Sequence, residues 1–309
     1  MVEAGRTNYL AANGAVVVAT LCLLNACALR HVRNPLQHMR PLQTLFLRLD
    51  LVFGLYLVLF YLRVVLAEQS RVMEPLAQFF FPVLEGLALF CFFNMMLLLV
   101  GGTAAAVSIM DQVQGGGVGD LQTDAWLNSP SKTTLDRYRR RLVLFLVLKP
   151  ILGVVDGWAV NQQVLNPTVK KYHTIHTALG VVAVVMTVLA FVGVMRTYAA
   201  LKKHIAPSFR LTAKFLTVKA MLLVSTLQWN IVNAAMSDWT PSDLYIYGSV
   251  CVGEAALIAV VFFYTFTAKE PDVPRLDTEA APFHPCAVLD VADLFVYPLG
   301  QDLMFTAAV

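Results

Sequence analysis

Apolar residues gather in seven long runs along the chain, roughly Tyr9 to Leu29, Thr44 to Ala67, Phe79 to Val100, Leu142 to Val160, Thr174 to Met195, Phe215 to Ala235 and Leu244 to Thr267. A helix of about 20 residues crosses a hydrocarbon core of about 30 Å, so each run is long enough to span a bilayer. The pattern predicts an all-α membrane protein, a seven-transmembrane-helix bundle. Basic residues fall on alternate loops between the runs. Fifteen lie in the first, third and fifth loops and the tail: Arg30, Arg33, Arg40, Lys132, Arg137, Arg139, Arg140, Arg141, Arg196, Lys202, Lys203, Arg210, Lys214, Lys269 and Arg275. Arg6, Arg71, Lys170 and Lys171 are the four opposite. Positive charge marks the cytoplasmic loops, which puts the N terminus outside and the C terminus in the cytoplasm.

Three regions follow: a short outer N terminus at 1–8, the transmembrane domain at 9–267 and a Pro-containing cytoplasmic tail at 268–309. The loop from Gly101 to Arg141 carries Gly115-Gly116-Gly117-Val118-Gly119 and Asn128-Ser129-Pro130-Ser131, a composition that resists helix and strand and predicts a flexible cytoplasmic linker. Pro271, Pro274, Pro282 and Pro285 stop the last helix and start an extended segment. Beyond it, Val288 to Met304 mixes apolar residues with Asp290, Asp293 and Asp302, which suits an anionic leaflet poorly. That stretch either folds against the cytoplasmic face or a partner, or stays loose.

Composition excludes an ordinary soluble domain, with 58% hydrophobic residues, 14% charged and a mean hydropathy of +0.66. The net charge of +3 is loop asymmetry and gives no nucleic-acid signal. The basic cluster Arg30 to Arg40 follows the first run, whereas a signal peptide carries its charge ahead, so the run reads as an uncleaved helix. Cys22, Cys27, Cys91, Cys251 and Cys286 are scattered without a disulfide framework or a metal-binding CxxC. The glycine cluster lacks the Gly-Lys-Ser/Thr of a phosphate loop, and Pro167 blocks glycosylation at Asn166.

Charge at membrane depth needs a partner, a cavity or a function. The runs contain Arg48, Asp50, Glu85, Lys149, Asp156, Lys219 and Glu254, with Asn25, Asn94, Gln228, Asn230 and Asn233 adding hydrogen-bonding capacity. At about 1.5 Å of rise per residue, Arg48, Lys219 and Asp50 fall in the cytoplasmic half, Lys149 and Glu254 near the middle, and Glu85 and Asp156 in the outer half. Buried pairs that hold the bundle, such as Lys149 or Lys219 with Glu254, would explain single residues. Five runs all contribute charge, which favours a shared polar interior. Hydrolase and metalloprotease motifs are absent, His173 and His176 have no third ligand nearby, and the last run has no lysine for a Schiff base.

Several stretches in order resemble the organic solute transporter subunit alpha and transmembrane protein 184 family. They are His38-Met39-Arg40-Pro41 with Leu47-Arg48-Leu49, then Glu85, Phe93-Asn94 and Gly101-Gly102, then Lys149-Pro150. The closest likeness is Leu201-Lys202-Lys203, Pro207, Lys214-Phe215-Leu216-Thr217-Val218-Lys219 and Gln228, followed by Tyr264-Thr265-Phe266 with Lys269 and Pro271. The likeness covers about Arg30 to Pro271. Two departures stand out: no cysteine-rich cluster follows the third run, and Phe262 and Phe263 replace histidines before Tyr264.

The resemblance implies facilitated, bidirectional passage of amphipathic organic solutes such as bile acids and steroid conjugates, with no cofactor. It also implies a small single-span beta-type partner, with a homo-oligomer as the alternative. The expected solute path comprises Arg48, Asp50, Glu85, Asn94, Lys149, Lys219, Gln228 and Glu254, in which cations attract an anionic head group and apolar helix faces accept its body. A multi-pass protein of the plasma membrane or an endomembrane follows. The alternatives are a seven-span receptor-like or scaffolding protein, disfavoured by short outer loops without a cysteine clamp, and a membrane enzyme, which lacks a catalytic constellation.

Overall fold

A full-atom computed structural model describes residues 2–33, 40–66, 70–113, 129–165, 170–222, 224, 228, 232 and 241–267. Its principal elements are helices: α1 (Val2–Val32), α2 (Arg40–Val65), α3 (Ser70–Leu99), α4 (Thr103–Val113), α5 (Pro130–Leu165), α6 (Lys170–Leu201), α7 (Leu211–Leu222) and α8 (Pro241–Thr265), with a 3-10 turn at Pro207–Phe209. No strand occurs among the described residues. Six of these helices, α1, α2, α3, α5, α6 and α8, are long and apolar enough to cross a membrane. The run expected from Phe215 to Ala235 is described as continuous helix only through α7; beyond it only 224, 228 and 232 are described, each helical, and the rest of 223–240 lies outside the described residues.

Helix α2 packs against α1, α3 and α8; α3 packs against α5, and α5 against α6. Helix α7 bridges α8 and α3. The apolar window of α3 is 89% buried and that of α6 only 17%, so α3 is the inner post and α6 lies at the periphery with most of its apolar surface uncovered. Rings of Phe46, Phe53, Tyr56, Phe60, Phe81, Phe92 and Phe215 fill the spaces between helices. Hydrogen bonding adds specific ties inside the apolar medium: Asn13 of α1 donates to the Ser249 hydroxyl of α8 at 2.8 Å.

The loop after α3 departs from the linker its glycines predict. Gly101 and Gly102 stand at φ of +94° and +102°, and their amides return to Leu98 and Leu97, an ending that turns the chain back on itself. Helix α4 then forms where a loop was expected, burying Ala106, Val107 and Met110. The breaking signal belongs to Gly115–Gly119, outside the described residues, whereas Thr103–Val113 is alanine-rich and favours helix. Helix α5 likewise starts at Pro130, twelve residues before Leu142, where the apolar run begins. Ser129 caps it, accepting from the Ser131 amide at 3.0 Å and donating to the Asp111 carboxylate at 2.7 Å. Ser129→Ala should therefore lower stability by about 1 kcal/mol, read as thermal unfolding in detergent. The tail at 268–309, like the cysteine at 286, lies outside the described residues.

Candidate functional site

The innermost charges in α3 and α5 meet. Lys149 Nζ lies 2.5 Å from Glu85 Oε2, with side-chain exposures of 7% and 2%, and the same ammonium stands 4.7 Å from the Phe145 ring centre. Enclosing two ions costs hydration, which close contact and opposite charge offset. The pairing of Lys149 with Glu254 suggested by depth does not form. Glu254 is carried by α8, which packs on α1, α2 and α7, while α5 packs on α3, α4 and α6. Equal depth on non-adjacent helices does not make contact.

Glu254 belongs to a second cluster. Tyr247, Cys251 and Glu254 repeat at four and three residues on one face of α8. Arg63 of α2 faces them, its guanidinium carbon 5.8 Å from the Tyr247 ring centre. Glu254 Oε2 is enclosed and has no hydrogen-bond partner among the described residues. Arg63 was not among the sequence candidates because it sits near the end of its run, where a basic residue reads as an interface anchor; its 5% exposure shows otherwise.

The remaining candidates spread along the bundle. Asp50 of α2 and Cys27 of α1 are both buried, and Arg48 is half-buried. Asn94 of α3 is 3% exposed; Gln43 of α2, which the sequence did not single out, is 1% exposed. Lys219 is half-buried with its ammonium 5.9 Å from the Phe191 ring centre, and Gln228 is half-buried. Asn230 and Asn233 lie outside the described residues. Thus Glu85 and Lys149 are in contact, Glu254 occupies a separate cluster, and the others occupy different levels.

Two residues counted as loop cations are interior. Lys214 is fully buried, donates to the Phe209 carbonyl at 2.5 Å, and is surrounded by the rings of Phe209, Phe266 and Phe46 at 3.9, 5.6 and 5.8 Å. Arg139 is 6% exposed and donates to the Thr103 hydroxyl at 3.4 Å, tying α5 to α4. Toward the opposite end, His176 of α6 meets Asp156 of α5 at 2.7 Å; the His173 side chain lies outside the described residues. No group of three metal-ligating side chains occurs among the described residues.

A family model described as organic solute transporter Ostalpha matches residues 9–271, most of the chain. No curated protein and no solved structure matches the chain. With its apolar helices, the match makes this an integral, multi-pass membrane protein of a solute-transport family. The chain belongs to the organic solute transporter Ostalpha family.

Proposed function

We propose that the protein is a facilitated carrier for amphipathic organic anions of the bile acid or steroid conjugate type. The observation that carries this reading is the set of charged and amide side chains enclosed among apolar helices, centred on Lys149 and Glu85. Arg48, Lys149 and Lys219 attract the head group; Asp50, Glu85 and Glu254 balance the interior charge; Asn94 and Gln228 offer hydrogen bonds. Apolar helix faces accept the body of the solute. No nucleotide-binding motif accompanies these groups, so the gradient of the solute supplies the driving force. A single-span beta-type subunit or a second copy completes the assembly in the plasma membrane or an endomembrane.

The test is uptake of labelled steroid conjugates and bile acids by liposomes that contain the purified chain, against protein-free liposomes. Saturable uptake without added nucleotide is expected; uptake equal to that of empty liposomes contradicts the reading. Lys219→Met should reach the membrane and lose flux, because an ammonium in the membrane interior costs roughly 2.5 to 3.5 kcal/mol and its presence there points to a role. Unchanged flux would reduce Lys219 to a side chain reaching for the interface.

The proposed orientation places α4 and the start of α5 in the cytoplasm. Thr133, in the first turn of α5, is exposed and serves as the reporter. A Thr133→Cys variant should resist an impermeant thiol reagent in intact cells and react after permeabilisation; labelling of intact cells reverses the topology.

A further inference from the structure

The ion pair sits in an unusual stretch of the α3–α5 seam. The two helices run antiparallel there, since Gln78, Glu85 and Gly86 on α3 meet Gly153, Lys149 and Leu146 on α5. Each helix also carries a proline at this level, Pro82 in α3 and Pro150 in α5. A proline has no amide proton, so Pro82 and Pro150 cannot donate the helical hydrogen bond back to residues 78 and 146.

The facing helix presents a glycine to each interrupted turn. A Cβ on Gly153 would stand 2.1 Å from the Gln78 carbonyl oxygen, and one on Gly86 would stand 3.0 Å from the Leu146 Cα and 2.7 Å from its Cδ1. The arrangement is reciprocal: the proline of one helix opens a turn, and the glycine of the other lets the backbone come up against it. Glu85 is the neighbour of Gly86, and Lys149 is the neighbour of Pro150, so the ion pair ties the helices at the level where both are interrupted.

We infer that this seam is a paired hinge: Pro82 and Pro150 are positioning residues that let α3 and α5 bend, and the Glu85–Lys149 contact is the latch that holds them together. The inference rests on the carrier reading, because a carrier has to change which side of the membrane reaches its solute. One helical hydrogen bond fewer in each helix lowers the cost of bending at this level. The glycines keep the pivot close enough for the latch to form. Opening the latch lets the outer arms of the two helices part.

The experiment reads the hinge without relying on transport. Nitroxide labels replace the exposed Leu76 of α3 and Val155 of α5, and their separation is measured in proteoliposomes. Glu85→Gln should lengthen and broaden that separation, by about 1–2 Å or more, the scale of helix shifts in conformational transitions. The same Glu85→Gln change on a Pro82→Ala, Pro150→Ala background should leave the separation as in the unmutated latch. Pro150→Ala alone serves as the background should the double replacement not fold. Restoring the two hydrogen bonds should also slow solute turnover about tenfold with KM unchanged and no loss of thermal stability.

Labels that do not move when the latch is removed, or that move equally with and without the prolines, overturn the hinge. A chain whose labels behave as expected but which carries no solute leaves the hinge standing and overturns the carrier reading.

Discussion

Lys149→Met is expected to destabilise the folded protein by about 3–5 kcal/mol, because it strands the Glu85 carboxylate at 2% side-chain exposure without its ammonium. The loss comes from the remaining ion, so the companion change should relieve it. A Glu85→Gln, Lys149→Met double variant should melt much closer to the unmutated protein than Lys149→Met does. Glu254→Gln should add independently to Lys149→Met, since the two side chains sit on helices that do not pack together. Thermal unfolding of the three single and two double variants in one detergent checks both statements. Additive losses at 85 and 149, or coupling between 149 and 254, would refute the assigned pair.

Gly153→Ala is the second large expected effect. The added methyl would sit 2.1 Å from the Gln78 carbonyl oxygen, and that neighbour is backbone rather than the movable end of a side chain. Helices α3 and α5 must separate to admit it, at a cost of about 1–3 kcal/mol for overpacking. Gly180 on α6 provides the contrast, for a Cβ there meets nothing within 4 Å. Gly180→Ala should be neutral or stabilising by about 0.5–1 kcal/mol, the helical gain of alanine over glycine. Equal effects at the two positions, measured as melting temperature in the same detergent, would remove the case for a close seam.

These expectations turn on contacts between helices, which is where sequence is least informative. Six of the seven expected spans were legible because a membrane helix is marked by an apolar run of sufficient length, which needs no knowledge of partners. Helix ends were not. Hydropathy stops at Leu142, but the helix continues back to Pro130 because Ser129 caps it and Asp111 holds the cap. Helix α4 was hidden for a related reason: the strong glycine cluster at 115–119 coloured the whole loop, although Thr103–Val113 contains no glycine or proline.

The site divides along the same line. That Glu85, Lys149 and Glu254 lie at membrane depth follows from counting residues along single helices. Which of them touch depends on helix order, and Glu85 and Lys149 are 64 residues apart. Lys214 shows the opposite failure: beside Arg210 at the start of an apolar run it looks like another loop cation, yet it is fully buried among Phe46, Phe209 and Phe266. Those rings come from α2, the turn before α7, and the residue just past the end of α8, so no local pattern could announce them. Arg63 and Gln43 were overlooked similarly, since burial by neighbouring helices gives polar residues near span ends their importance.

Counterflow tests the central claim most directly. Liposomes that contain the purified protein are preloaded with unlabelled steroid conjugate, and the entry of labelled conjugate is followed under zero net gradient. A facilitated carrier predicts that preloading accelerates entry, saturably and without nucleotide, and that Lys149→Met loses the acceleration in the fraction of protein that remains folded. Entry that preloading does not change, or that matches protein-free liposomes, would contradict the account.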